Sequence, residues 1–180
     1  MLTELDILKD VTGRFDKLSI EYMLTGSLAI SYYVQPRMTR DIDLVVEILP
    51  VMIERIEQIF KSDYYLSVES IKDAVKNEFI FNLIHNKSSI KIDCIIRKNE
   101  RYKIVEFERR KKIKLTDFHI FIVSKEDLII SKLFWIKEGN SELQKSDVKN
   151  LLNSGFDREY LLNWVKELNL HKIFDKIEYE

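Results

Sequence analysis

One cysteine, two prolines and four glycines are all that 180 residues contain of the three types that staple, break or loosen a chain. Cys94, being single, excludes an intramolecular disulfide. His85, His119 and His171 are too scattered for a zinc site. A reducing, cytoplasmic setting is therefore the expectation. No tract rich in Pro, Gly or Ser marks a linker, and no repeat or low-complexity segment is visible. No run of eighteen apolar residues exists, and the opening MLTELDILKD carries acids where a secretory leader carries its basic region, so neither membrane insertion nor export is expected. Charge of one sign is lacking too: 29 Lys and Arg against 30 Asp and Glu give a net charge of -1, which excludes a bulk pull toward nucleic acid or membrane. What remains is a chain 46% hydrophobic and 33% charged, the make-up of a folded domain with a solvated surface. At this length a domain buries about 70% of the surface its unfolded chain exposes, enough for a core without staples.

Leu2, Leu5, Leu8, Val11, Phe15 and Leu18 recur at spacings of three and four, which predicts an amphipathic opening helix. Glu21 to Thr25 reads as a strand, Gly26 and Ser27 as a tight turn, and Leu28 to Val34 as a helix that stops before Pro36. A strand follows over Asp41 to Ile48. Pro50 suits a first helical turn, and Ile53, Ile56, Ile59 and Phe60 form the stripe of the helix after it. Phe79 to His85 and Ile90 to Ile96 flank NKSS as a hairpin, and Lys111 to Leu115 and Phe118 to Val123 form a second pair. From Ser124, an N-cap with Asp127 three residues on, the period turns helical: one helix to Gly139, others over Ser141 to Asn153 and Asp157 to Leu168, and a short segment near His171 to Ile177. The expected fold class is α+β, a mixed sheet flanked by helices, with a core over residues 1–123 and a helical C-terminal subdomain over 124–180.

Two carboxylates interrupt the strand DIDLVVE. Residues two apart share a face, so Asp41, Asp43 and Val45 lie on one side and Ile42, Leu44 and Val46 on the other, with the aspartate Cα atoms about 6.6 Å apart. The ordinary reading of a lone Asp-x-Asp is an edge strand whose polar face meets solvent. In IKIDCII the pattern recurs: Ile90, Ile92, Cys94 and Ile96 take one face and Lys91, Asp93 and Ile95 the other. If the two strands pair, three carboxylates converge, a set of hard oxygen donors suited to Mg²⁺ and to two-metal phosphoryl chemistry. Gly26 allows close approach of a ligand to backbone, and the helix start after it offers N–H groups to an anion, although an N-cap serine explains Gly-Ser equally well.

The succession Gly26-Ser27, then Thr39-Arg40-Asp41-Ile42-Asp43-Leu44, then Ile92-Asp93, resembles the nucleotidyltransferase superfamily that includes DNA polymerase beta-like enzymes. Within it the chain looks most like the small prokaryotic nucleotidyltransferases of the abortive-infection toxin type. The segments SKEDLIISKL, from Ser124, and KSDVKNL, from Lys145, extend the likeness over about residues 20 to 152. The resemblance implies that Gly26 and Ser27 hold the triphosphate, that Asp41, Asp43 and Asp93 bind Mg²⁺, two ions in all, and that Asp93 also accepts a proton from the attacking hydroxyl. Lys132 would approach the triphosphate, and Asp147 would position Lys132 or the acceptor. It further implies a nucleoside triphosphate such as ATP as donor, an RNA acceptor such as a tRNA 3′ end, and an antitoxin as protein partner.

Several of these residues have plainer readings. Lys132 follows Leu128, Ile129 and Ile130 and reads equally as a lysine snorkelling at the rim of an apolar face. Arg37 and Arg40 read as phosphate clamps or as solvated loop charges. Arg109, Arg110, Lys111, Lys112 and Lys114 read as an RNA-backbone contact or as a charged edge strand that discourages aggregation. Phe134 and Trp135 read as base-stacking residues or as core. The leading expectation is an Mg²⁺-dependent nucleotidyltransferase. Its rivals are an enzyme with a small-molecule, aminoglycoside-like acceptor and a catalytically silent domain of the same fold that binds or regulates a partner.

Overall fold

The structure is a computed structural model that describes residues 2–34, 39, 41–139 and 141–179. The opening helix α1, Glu4–Leu18, starts at a capping box in which the Asp6 N–H donates to Thr3 Oγ1 at 3.2 Å and the Thr3 N–H to Asp6 Oδ2 at 2.8 Å. Its buried stripe is Ile7, Leu8, Val11, Phe15 and Leu18. Leu2 and Leu5, counted in the sequence stripe, are exposed. Successive steps of three fall short of a 3.6-residue turn, so the apolar row rotates off the buried face toward the N-terminus and Ile7 takes its place.

Strand β1, Glu21–Thr25, runs directly into helix α2, Gly26–Tyr33. The expected separate turn is absorbed into the first helical residues. Strand β2, Asp41–Glu47, leads through a 3₁₀ turn, Pro50–Met52, to α3, Ile53–Phe60. After the short β3, Tyr64–Tyr65, come α4, Val68–Asn77, and β4, Ile80–His85. The NKSS turn joins β4 to β5, Lys91–Ile96, as the sequence predicts, with Ser89 in the left-handed region at φ 56°. Helix α5, Arg101–Glu108, precedes the hairpin of β6, Lys111–Leu115, and β7, Phe118–Ile122. Helices α4 and α5 escape the sequence reading. The first buries Ile71 and Ala74 and the second Tyr102, Glu106 and Phe107.

The seven strands form one mixed sheet in the order β3-β4-β5-β2-β1-β7-β6. The pairs β2–β5 and β1–β7 are parallel and the others antiparallel. On one face of the central strands Ile42, Leu44, Val46, Leu83, Ile92 and Cys94 are fully buried. Helix α1 packs against β1 and β2, and α4 against β4. Phe15 lies 5.6 Å from Phe60, which lies 5.3 Å from Tyr64, so tilted and edge-on rings link α1, α3 and β3.

Two compact units partition the chain: Met1–Leu28 with Arg37–Val123, and Ala29–Pro36 with Ser124–Glu180. The sheet belongs to the first. In the second, α6, Lys125–Gly139, is surrounded by α7, Glu142–Leu152, α8, Arg158–Glu167, and α9, His171–Tyr179. Ser124 caps α6, accepting from the Asp127 N–H at 3.2 Å and donating to Asp127 Oδ2 at 2.5 Å, and the Tyr160 hydroxyl donates to the other Asp127 oxygen at 2.7 Å. Among the described residues no helix is long and apolar enough to cross a membrane.

Cys94 sits mid-strand on the buried face, and burial pushes its thiol pKa up. Native protein at pH 8 is therefore expected to resist iodoacetamide under conditions that alkylate Cys94 completely in guanidinium. Intact-mass measurement checks this, and equal native reactivity would remove β5 from the core.

Candidate functional site

Opposite residues on paired strands share a face, and here the registers link four strands in one row. Thr25 on β1 pairs with Asp43 on β2, Asp43 with Asp93 on β5, and Asp93 with Asn82 on β4. Asp41 precedes this row by one pleat, where its partner is Lys91. The period-two division of both strands is as the sequence predicts, since Ile42, Leu44, Val46, Ile92, Cys94 and Ile96 are buried while the aspartates stand on the other face.

Gly26 follows Thr25 and turns the chain from strand to helix at φ +65°. A Cβ there would lie 2.9 Å from the Asp43 Cβ and overlap its carboxylate, so glycine is needed both for the backbone angle and for the space. Ser27 is the second residue of α2, half-buried, one position from the Asp43 contact.

The carboxylates already have a cation among them. Lys91 Nζ lies 3.0 Å from Asp93 Oδ2 and 3.7 Å from Asp41 Oδ1. The Asp93 hydrogen bond, reinforced by the charges of Asp93, Asp41 and Asp43, raises the Lys91 pKa above its ordinary value, against the opposing effect of burial. Asn82 Nδ2 donates to Asp93 Oδ1, so both oxygens of Asp93 are engaged. Among the described residues no group of three or more His, Cys, Asp or Glu side chains is placed so that it could hold a metal ion. The donors nevertheless fit Mg²⁺ in kind. They are hard oxygens on rigid neighbouring strands, accessible to water at Asp41 and shown by Lys91 to accept a positive charge between them.

In the C-terminal unit Lys132 is buried rather than snorkelling at a rim. Its Nζ lies 3.6 Å from Asp147 Oδ2, with side chains 7% and 5% exposed. The structure thus brings together the two residues that the resemblance singles out on α6 and α7. Trp135 is 60% exposed, unlike a core aromatic. The basic run 109–114 lies at the β6 edge of the sheet. Within it Arg110 folds back, 4.3 Å from the Phe107 ring and 3.2 Å from Glu21, while Lys111, Lys112 and Lys114 face solvent. Arg37 and Arg40 lie outside the described residues.

Thr25, Asn82 and Lys91 are absent from the sequence reading as site residues. Lys91 had a signal, its two-residue spacing from Asp93. Thr25 and Asn82 had none, because only the strand register places them in the row.

Gly26→Ala is expected to cost about 1–2 kcal/mol through the left-handed backbone alone and to displace the Asp43 carboxylate as well. Denaturant melts check the first effect. Asp147→Ala removes the carboxylate 3.6 Å from a buried ammonium and should cost about 3–5 kcal/mol, roughly 10 °C in melting temperature, most of it recovered in Lys132→Met/Asp147→Leu. Calorimetry of the single and double variants decides.

No protein-family model and no curated protein matches the sequence. Solved structures do match the fold. The crystal structure of ANT(2'')-Ia in complex with adenylyl-2''-tobramycin superposes with a TM-score of 0.64 at 14% identity, covering 96% of this chain and 99% of that one. The lincomycin-bound lincosamide antibiotic adenylyltransferase LnuA gives 0.54 at 16% identity over 83% of this chain and 96% of that one. An antigenic nucleotidyltransferase-like protein from Paracoccidioides brasiliensis gives 0.55 at 16% identity, with 83% and 74% covered. The chain therefore has a nucleotidyltransferase-like α+β fold, a mixed seven-stranded sheet flanked by helices.

Proposed function

We propose that the protein is an Mg²⁺-dependent nucleotidyltransferase. An acceptor hydroxyl or phosphate attacks the α-phosphate of a nucleoside triphosphate, a new P–O bond forms, the bond to the β-phosphate breaks, and pyrophosphate leaves. The observation that carries this reading is the register that sets Asp43 beside Asp93, with Asp41 one pleat away, next to a glycine-started helix. Asp41, Asp43 and Asp93 are the residues assigned to hold the metal. When bound, Mg²⁺ offsets charge on the phosphates and the leaving group. Gly26 admits a phosphate close to backbone, and the first turn of α2, which contains no acid, presents N–H groups and a partial positive charge to it. Ser27 Oγ adds a hydrogen bond. Asp93 takes the acceptor's proton. The sequence resemblance assigns Lys132 to the triphosphate, with Asp147 as its positioning residue. Positioning and electrostatics then supply most of the catalysis.

For the acceptor, an RNA end such as that of tRNA, with toxin action restrained by an antitoxin, is the reading carried by the sequence resemblance. The solvent-facing Lys111, Lys112 and Lys114 support it by offering phosphate contacts. A small-molecule acceptor is the second reading, favoured by the fold shared with LnuA and ANT(2'')-Ia over most of the chain.

Incubation with Mg²⁺, each α-labelled nucleoside triphosphate in turn, and either total RNA, an aminoglycoside and lincosamide panel, or neither is expected to place label on one acceptor. Asp43→Asn should reduce transfer about a hundredfold or more, the scale of losing a charge-stabilising group at a transition state. Label in RNA selects the first acceptor and label in an antibiotic the second. Undiminished transfer by Asp43→Asn overturns the metal assignment, and nucleotide binding without product by the wild type identifies a silent binding domain.

A further inference from the structure

Lys91 and Asp93 stand two apart on β5, so they share the face that Asp41 and Asp43 occupy on β2, and the parallel register sets Lys91 opposite Asp41. We propose that Lys91 is the resident counter-ion of this carboxylate row and that a divalent cation enters only by displacing its ammonium, so that Lys91 sets the protein's affinity for the metal. The inference rests on the nucleotidyltransferase reading only in taking Asp41, Asp43 and Asp93 as the metal ligands.

Three features carry it. The ammonium lies 3.0 Å from Asp93 on its own strand and 3.7 Å from Asp41 across the ladder on β2, and so uses carboxylate oxygens that a metal would need. With Asn82 on the other Asp93 oxygen, both oxygens of that carboxylate already carry a donor. The residue is also suited to leaving. A lysine is a compact charge on a flexible stem, and this side chain is 39% exposed, so rotation carries the ammonium into water without opening the core. An arginine fork would bind the same oxygens more rigidly. Two positive ions at one pair of oxygens repel, and binding is therefore an exchange: the divalent ion enters as the ammonium swings out. The metal-free protein meanwhile avoids a row of uncompensated like charges on neighbouring strands.

The test is Mn²⁺ binding to the full chain without nucleotide, read from the free-Mn²⁺ electron paramagnetic resonance signal. Lys91→Met and Lys91→Gln should each bind about tenfold more tightly than wild type, the effect of removing one unit charge a few ångströms away at a solvated surface. Lys91→Arg, which keeps the charge, should stay at or below wild-type affinity, and saturating Mn²⁺ should raise the melting temperature of Lys91→Met more than that of wild type. A residue that merely bridged strands would give the opposite result, weaker binding in both neutral variants. Unchanged or weaker binding in Lys91→Met and Lys91→Gln, beside wild-type binding that Asp43→Asn abolishes, overturns the counter-ion role and leaves the metal assignment standing. No Mn²⁺ binding by wild type or by either neutral variant overturns both.

Discussion

The parallel pairing of β2 with β5, in the one register that sets Asp43 beside Asp93, is the constraint from which the candidate site follows. A slip of one residue would turn Asp93 toward the helices and Cys94 toward solvent. What holds the register is the other face. Ile42, Leu44, Val46, Ile92, Cys94 and Ile96 are all at most 6% exposed. At about 1.5–3 kcal/mol for each buried aliphatic side chain, that face supplies on the order of 10 kcal/mol as an upper bound. Two carboxylates about 5 Å apart at a surface repel by about 1–3 kcal/mol. Packing wins by a wide margin, and the acids are carried into proximity by residues that have no chemistry of their own.

Gly26 imposes the second constraint, and it acts on the same carboxylate. Strand β1 ends at Thr25, the neighbour of Asp43, and the chain must turn there into α2 without a Cβ, since any side chain would occupy the space of the Asp43 carboxylate. The polar row is thus closed at one end by a helix start and at the other by Asn82. The first residue of α2 thus lies against the Asp43 carboxylate, so a helix start and the acid row adjoin.

What the sequence disclosed, and what it hid, divides along local and non-local lines. Period-two alternation placed Asp41, Asp43 and Asp93 on the polar faces of their strands, and the hairpin residues NKSS joined β4 to β5 as expected. That β5 lies beside β2 follows from pairing between segments far apart in the chain, which no local pattern carries. Asn82 and Thr25 gained their places through that pairing alone. Lys91 was legible in principle, two residues before Asp93, yet a lysine on a polar strand face looks like any solvated charge until Asp41 appears across the ladder. Helix α5 shows no marked apolar period, whereas α4 has one, with Val68, Ile71, Ala74 and Val75 at helical spacing, that is passed over in the sequence reading. The contact between Lys132 and Asp147 needed the packing of α6 on α7, although both residues stood out by resemblance.

The C-terminal unit sharpens the distinction between polar groups that build structure and those that do not. Helix α6 buries side chains all around its first turns, so each polar one needs a partner. Asp127 accepts from the Ser124 hydroxyl that caps the helix and from the Tyr160 hydroxyl on α8, and Glu126 accepts the Asp157 N–H at the start of α8. These contacts satisfy helix ends that would otherwise be orphaned, and structure accounts for them. The Lys132–Asp147 pair instead joins α6 to α7. Desolvating both charges costs about as much as their attraction returns, and well-packed apolar residues would serve stability equally or better. By this balance the pair adds little net stability to the contact of α6 with α7, while loss of either partner alone is costly.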